Sequence, residues 1–138
     1  MLLTELKEVL EAADTQTSLI DETHLALLMP TAEYRNSEGK QILAVVIEVI
    51  ADGSVVRLSC PAAFTVDSTE DATLLRVMSE QANIPFVGFE YDPSDGEIRP
   101  RIEIPVNSAR SVGGDTLQML LTALSFAADR LHSDVLGN

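Results

Sequence analysis

Hydrophobic residues recur at helical spacing through the last long stretch of the chain, residues 114–136. Because an α-helix turns by about 100° per residue, one stripe of it collects Leu117, Leu120, Leu121, Leu124, Ala128, Leu131 and Val135. Asp115 or Thr116 can cap its start, and no proline interrupts it. The pattern predicts a long helix that packs this stripe on the core, with a polar face of Gln118, Thr122, Ser125, Asp129 and His132 beside it.

Met119, Ala123 and Phe126 lie on the side of this helix away from the leucine stripe. Burial beneath the first helix is one interpretation. The other is exposure at an interface, because large apolar side chains grouped on the surface of a monomer mark an interaction site. Under the second interpretation, Phe126→Glu weakens a dimer without unfolding the domain.

Two further helices are predicted. The first runs from Leu2 to Ala13, with an apolar stripe of Leu3, Leu6, Leu10 and Ala13. The second begins at the capping-box-like segment 68–71 and ends near Asn83. Its inward residues are expected to be Leu74, Leu75, Met78 and Ala82.

Three apolar segments before residue 61 predict an antiparallel meander. The region from Leu19 to Arg35 is expected to hold an irregular edge strand, because Pro30 lacks a ladder donor. Residues 42–50 are almost wholly aliphatic, which predicts a strand covered on both faces or a central strand whose second face meets a partner. Asp52-Gly53 predicts a hairpin turn into the strand from Val55 to Cys60.

A second hairpin is predicted from residues 86–91 and 97–104, joined by Asp92-Pro93-Ser94-Asp95-Gly96. In its return strand Ile98, Pro100, Ile102 and Ile104 share one face, and Pro100 argues for an edge position. The resulting order is α-βββ-α-ββ-α. It predicts a single α+β domain over residues 1–138, an antiparallel sheet with helices on one side.

The charge balance narrows the classes of partner. The net charge is −13, with only nine Lys and Arg residues, so binding to nucleic acid or to anionic membranes is not expected. Basic or amphipathic peptide partners suit this charge. With one cysteine, no signal sequence and no long apolar run, we expect a cytoplasmic protein.

Side chains that often carry chemistry are scattered. His24 and His132 belong to no metal or hydrolase signature, and Cys60 is expected to be a small buried hydrophobe. The carboxylates Glu90, Asp92 and Asp95 are better explained by turn chemistry than by calcium binding. No phosphate-binding, dinucleotide-binding or nucleophile motif occurs. The sequence therefore predicts no catalytic residues, no cofactor and no metal.

Three arginines are the remaining candidates. Arg99, Arg101 and Arg110 hold a third of the basic residues and could form a docking patch. Pairing of these arginines with Glu90, Glu97 and Glu103 is the alternative, which we favour. The segment 111–114 before the last helix could hold an anion at the helix N-terminus or serve only as a flexible entry turn.

The element order, the acidic character, the segments 86–91 and 102–106, and the long final helix together resemble the YbjN-like domain family. The fold of that family is similar to that of type III secretion chaperones. The resemblance implies a non-enzymatic and often dimeric domain. Secretion chaperones hold extended client segments against apolar grooves and sheet edges, whereas some YbjN-like proteins are described as sensory or regulatory. The resemblance assigns no binding residues.

Three functions follow in order of preference. The first is a chaperone-like interaction module that binds a polypeptide segment or a second copy of itself. The second is a regulatory domain that senses a small molecule between sheet and helices, and the third is an enzyme. Met119, Ala123, Phe126, Arg99, Arg101 and Arg110 are the predicted partner-binding residues.

Overall fold

The fold is that of a computed structural model, which describes residues 2–66, 71–107 and 112–136. Its helices are α1 (Leu3–Ala12), α2 (Asp71–Glu80) and α3 (Gly114–Leu131). Its strands are β1 (Ser18–Leu19), β2 (His24–Pro30), β3 (Ile42–Ile50), β4 (Val55–Ser59), β5 (Phe64–Thr65), β6 (Gly88–Asp92) and β7 (Glu97–Pro105). The predicted capping box lies mostly outside the described residues.

All strand pairs are antiparallel. The order is β1-β2-β3-β4-β7, and β7 also pairs with β5 and β6. Arg101 is opposite Ser59 of β4 and also opposite Gly88 of β6, so these strands flank the two sides of β7. The predicted α+β class, an antiparallel sheet with helices packed on it, is confirmed. The two-residue strands β1 and β5 are additions to the predicted order.

The core lies between one face of the sheet and the helices. Strand residues alternate between the two faces, and one set is buried: Leu25, Leu27, Leu43, Val45, Ile47, Val56, Leu58, Ile98 and Ile102. The predicted stripe of α3 covers this set, and its residues from Leu117 to Leu131 are buried while Val135 is partly buried. Leu6 and Leu10 add α1 to the same core.

Pro100 lies in a central strand, so the predicted edge position of the return strand is wrong. β4 ends opposite Arg101, and β5 begins opposite Ile98. Pro100 falls in the gap between them, where its carbonyl accepts the Cys60 N–H at 3.0 Å. The backbone of Pro100 is directed to this gap, where neither β4 nor β5 has a residue paired with it, while its partner Phe89 lies on the β6 side. The missing N–H donor is therefore tolerated.

Strand β3 is central, but the described part of the chain covers only one of its faces. Leu43, Val45 and Ile47 are buried, while Ala44 is exposed on the opposite face. Of the two predicted arrangements, coverage of both faces by the chain itself is therefore wrong. The described helices all lie on one side, so no element within residues 2–66, 71–107 and 112–136 covers the second face of the sheet, which we call the open face.

Helix α2 is rotated from its predicted orientation. Val77 is buried and Leu74 packs against the core, whereas Leu75 and Met78 are 61% and 63% exposed. Ala82 is also exposed. The predicted inward set is thus correct only at Leu74.

Candidate polypeptide-binding surfaces

The outer edge of β2 is only partly covered by β1. Ser18 and Leu19 pair with Ala26 and Leu25, and the Ile20 N–H donates to the His24 carbonyl at 3.0 Å. In an antiparallel ladder, alternate residues direct their backbone groups to the same side. The even-numbered residues of β2 therefore face outward, away from β3.

Beyond Ala26 this edge is divided between α3 and solvent. The Pro30 carbonyl accepts the Ser125 hydroxyl at 3.0 Å. The Ala32 N–H donates to the Asp129 carboxylate at 3.1 Å. Leu28 lies between the two covered parts, and no described residue pairs with its backbone on this side. Its side chain is 65% exposed.

An open groove of about 870 Å³ runs beside this gap. One wall is the end of α1 with the loop into β1, and the other is the last part of β2. The lining residues are Glu11, Asp14, Thr15, Gln16, Thr17, Ser18, Leu28, Met29, Pro30 and Gln118. The wall is fixed because the Gln118 amide donates to the Thr15 hydroxyl and the Thr15 N–H donates to the Leu10 carbonyl. The groove combines unpaired backbone, an exposed leucine and polar loop groups, which suits an extended polypeptide.

The outer face of α3 carries the apolar residues that the sequence singles out. Met119 is 50% exposed and Phe126 is 45% exposed, and Ala123 between them is partly buried. The Arg130 guanidinium lies 5.9 Å from the centre of the Phe126 ring. Of the two interpretations, burial beneath the first helix is therefore excluded for both large side chains.

A second exposed apolar surface lies on α2 and was not predicted. Leu75 and Met78 lie one turn apart on its outer side. Next to them, a cleft of about 230 Å³ is lined by Leu74, Val77, Met78, Gln81, Phe89, Glu90, Tyr91 and Ile98. The neighbouring strand β6 pairs only with β7 among the described strands.

The open face of the sheet carries a chain of ion pairs. Arg101 lies 2.7 Å from Glu90 and 3.2 Å from Glu103. Arg99 lies 3.0 Å from Glu97 and 3.4 Å from Glu90. The pairs with Glu90 cross from β7 to β6, and those with Glu97 and Glu103 lie along β7. This is the pairing with glutamates that we favour over a docking patch. Arg110 lies outside the described residues, as does part of the segment 111–114.

The same face continues to His24. Its Nδ1 lies 2.9 Å from Asp21, and its Nε2 lies 3.2 Å from Glu48. The hydrogen bond to Asp21 is the main cause that raises the pKa of His24. The same bond is the main cause that lowers the pKa of Asp21 to about 2. This arrangement favours a charged imidazole between two carboxylates.

Cys60 is the small buried residue, and the Asp92 loop the turn, that we expect from the sequence. The Cys60 side chain is fully buried, and burial raises the pKa of its thiol. Asp92 accepts the N–H and hydroxyl of Ser94 within an ordinary turn, and these bonds lower the pKa of its carboxyl.

In residues 2–66, 71–107 and 112–136 no group of three metal-ligating side chains is close enough to hold an ion. No helix of the same ranges is long and apolar enough to span a membrane.

The groove at β2 was missed from the sequence. Its only local signals are Pro30 and the polar run 14–18, which are also typical of an ordinary strand end and loop. What creates the groove is the point at which β1 leaves β2. Just before that point Gln118 of α3 holds the loop at Thr15, a contact between segments far apart in the sequence that local patterns do not report.

No family model matches the sequence, and no curated protein matches it. A solved structure does match in fold: a chain of the heterodimeric complex ExoU-SpcU from the type III secretion system of Pseudomonas aeruginosa. The TM-score is 0.61 at 15% sequence identity, and the alignment covers 96% of this chain and 99% of that chain. At this identity the likeness is one of fold, and it places the chain among domains with a type III secretion chaperone-like fold.

Proposed function

We propose that this protein is a non-enzymatic, chaperone-like module of the cytoplasm that binds an extended segment of another polypeptide. The segment lies in the groove beside β2 and pairs with the backbone of Leu28. The unpaired edge at Leu28 is the observation on which the proposal rests. The fold shared with a chain of a heterodimeric secretion complex supports it, and membership of the YbjN-like family is part of the same proposal.

The energetics favour a short, specific contact. Leu28 offers one N–H and one carbonyl in the direction that β1 leaves open, enough for one hydrogen-bonded residue pair. Its exposed side chain adds apolar area that an incoming strand would cover, worth about 1.5–3 kcal/mol when a leucine is fully buried. The loop 14–18 and Gln118 supply polar partners along the remaining length.

Affinity capture from the native cells tests this function. We expect the wild-type protein to retain a polypeptide in stoichiometric amount and Leu28→Glu to lose it. Because Leu28 is largely exposed, this substitution changes the free energy of unfolding by about 0.5 kcal/mol or less. Lys40→Glu, in the exposed turn beyond β2, is the control and keeps the partner. Equal capture by Leu28→Glu, or no capture by any form, overturns the proposal.

Self-association belongs to the same proposal, and we assign it to α2. Leu75 and Met78 are more exposed than Met119 and Phe126, and Met78 lines the cleft together with residues of β6. Two copies related by a twofold axis would each bury this surface against the other. Met119, Ala123 and Phe126 on α3, with Arg99 and Arg101 on the open face, remain proposed partner-binding residues.

A regulatory domain that binds a small molecule is the second candidate, and the cleft between α2 and β6 is the observation that favours it. At about 230 Å³ the cleft is smaller than the roughly 300–1,000 Å³ of typical ligand sites. It fits a single side chain of a partner better than a metabolite. A ligand that raises the melting temperature of the wild type but not of Val77→Phe would reverse this preference.

A further inference from the structure

The charged side chains that line the groove beside β2 are all acidic. They are Glu11 and Asp14, and the other lining side chains are neutral. Lys7 pairs with Glu11 from the preceding turn of α1. Asp14 is exposed at the end of the helix, and no described cation lies within ion-pair distance of it.

The described cations elsewhere are already engaged. Arg57 pairs with Glu48 and Glu103, and Arg130 pairs with Glu80 and Asp134. Arg99, Arg101 and Lys40 also have carboxylate partners. Arg35 and Arg76 donate to backbone carbonyls. Apart from Lys7, which pairs with Glu11, no described cation therefore compensates the carboxylates of the groove, and the whole chain carries −13.

From this charge we infer that the segment bound at β2 is basic, with Lys or Arg alternating with apolar residues. This inference rests on the proposed function, because it names the chemistry of the segment. In an extended strand alternate side chains point to opposite sides. Apolar residues can then cover Leu28 on the open face of the sheet, while basic residues approach Asp14 and Glu11 at the end of α1, on the face that the helices cover. An acidic segment would meet only like charge there.

Short synthetic peptides distinguish this chemistry. Three probes share an alternating frame of valine with lysine, threonine or glutamate, and their affinities are measured by fluorescence anisotropy at low and at high salt. We expect the valine–lysine peptide to bind about fivefold to tenfold more tightly than the valine–threonine peptide at low salt, since exposed ion pairs add little each and are screened. The valine–glutamate peptide binds most weakly.

A matched pair of double variants separates the groove from the general negative field. Glu11→Gln with Asp14→Asn removes the charges of the lining. Glu38→Gln with Asp52→Asn removes the same number elsewhere. The pairs correspond closely: Glu11 and Glu38 each face a lysine, and Asp14 and Asp52 both have a left-handed backbone, with φ of 60° and 54°.

We expect the Glu11→Gln/Asp14→Asn variant to bind the valine–lysine peptide no more tightly than the valine–threonine peptide. The Glu38→Gln/Asp52→Asn variant should bind the valine–lysine peptide within about twofold of the wild-type affinity. Equal loss in both pairs, or equal binding of the lysine and threonine peptides, overturns the inference. If the lysine and threonine peptides bind equally and Leu28→Glu abolishes the binding of both, the proposed function stands but the preference for basic residues does not. Failure of all three peptides to bind, or binding that Leu28→Glu leaves unchanged, overturns the proposed function as well.

Discussion

Single side chains of α3 fix the part of β2 that the groove adjoins. Asp129 accepts the backbone N–H groups of Ala32, Glu33 and Tyr34, the last two at 2.8 Å. Ser125 holds the Pro30 carbonyl. Both residues were assigned to the polar face of the helix, and their role in holding the chain after β2 could not be predicted. Periodicity predicts on which face of the helix a residue lies, but not which segment of the chain packs against that face.

Asp129→Asn should lower the free energy of unfolding by about 1–3 kcal/mol, because a neutral amide replaces a charged acceptor of three N–H groups. Urea denaturation measures this loss. Glu33→Gln is the control, since its side chain is exposed in the same loop, and it should stay within about 0.5 kcal/mol of the wild type. Equal stability of the two variants would mean that the Asp129 bonds contribute nothing.

The pairing of His24 with Asp21 predicts a dependence of stability on pH. The pKa of His24 is raised from 6.5 and that of Asp21 is lowered from 3.8 to about 2. The pair therefore stabilises the fold fully between pH 3.8 and pH 6.5, the ordinary pKa values of the two groups. Its contribution is lost as the pH rises through the raised pKa of His24, or falls through about 2.

Titration of the His24 ring by NMR measures this coupling. Wild-type His24 should titrate above 6.5, and Asp21→Asn should bring its pKa down. The stability difference between wild type and Asp21→Asn should shrink once His24 is neutral. A His24 pKa that does not respond to Asp21→Asn would show that the hydrogen bond is not formed in solution.

At the scale of elements, strands were predicted better than the orientation of helices. The alternation in β7 correctly assigned Ile98, Pro100 and Ile102 to one face. In α2 each of the neighbouring pairs Leu74-Leu75 and Val77-Met78 offers two adjacent apolar residues, so two differently oriented stripes of the helix are about equally apolar. The choice between the stripes depends on how the helix meets Phe89, Tyr91 and Ile98, which local periodicity cannot report.

The two exposed helical faces can be compared directly by light scattering. If α2 carries the self-association, Met78→Glu should dissociate the oligomer while Phe126→Glu leaves it intact, and both variants should keep the wild-type circular dichroism. The reverse result would assign the contact to α3, as the sequence alone suggested. A wild-type protein that is monomeric at all concentrations would contradict both assignments.

At the scale of the whole molecule, the surfaces are distributed around the fold. The three helices cover one face of the sheet, and the other face carries the ion pairs from Asp21 to Glu97. The groove lies at the β2 edge, and the apolar face of α2 lies near β6, on the far side of β7. The surface proposed for a polypeptide segment and the surface proposed for a second copy therefore lie apart on the fold.

Amide hydrogen exchange at Leu28, followed by NMR, shows whether a bound segment pairs with the backbone of this edge. In the free protein the Leu28 N–H should exchange rapidly, because it faces outward, while the Leu27 N–H is protected by pairing with β3. Saturation with the valine–lysine peptide should slow exchange at Leu28 and leave Leu27 unchanged. A Leu28 amide that is already protected in the free protein, or one whose exchange the bound peptide does not alter, would contradict strand pairing at this edge.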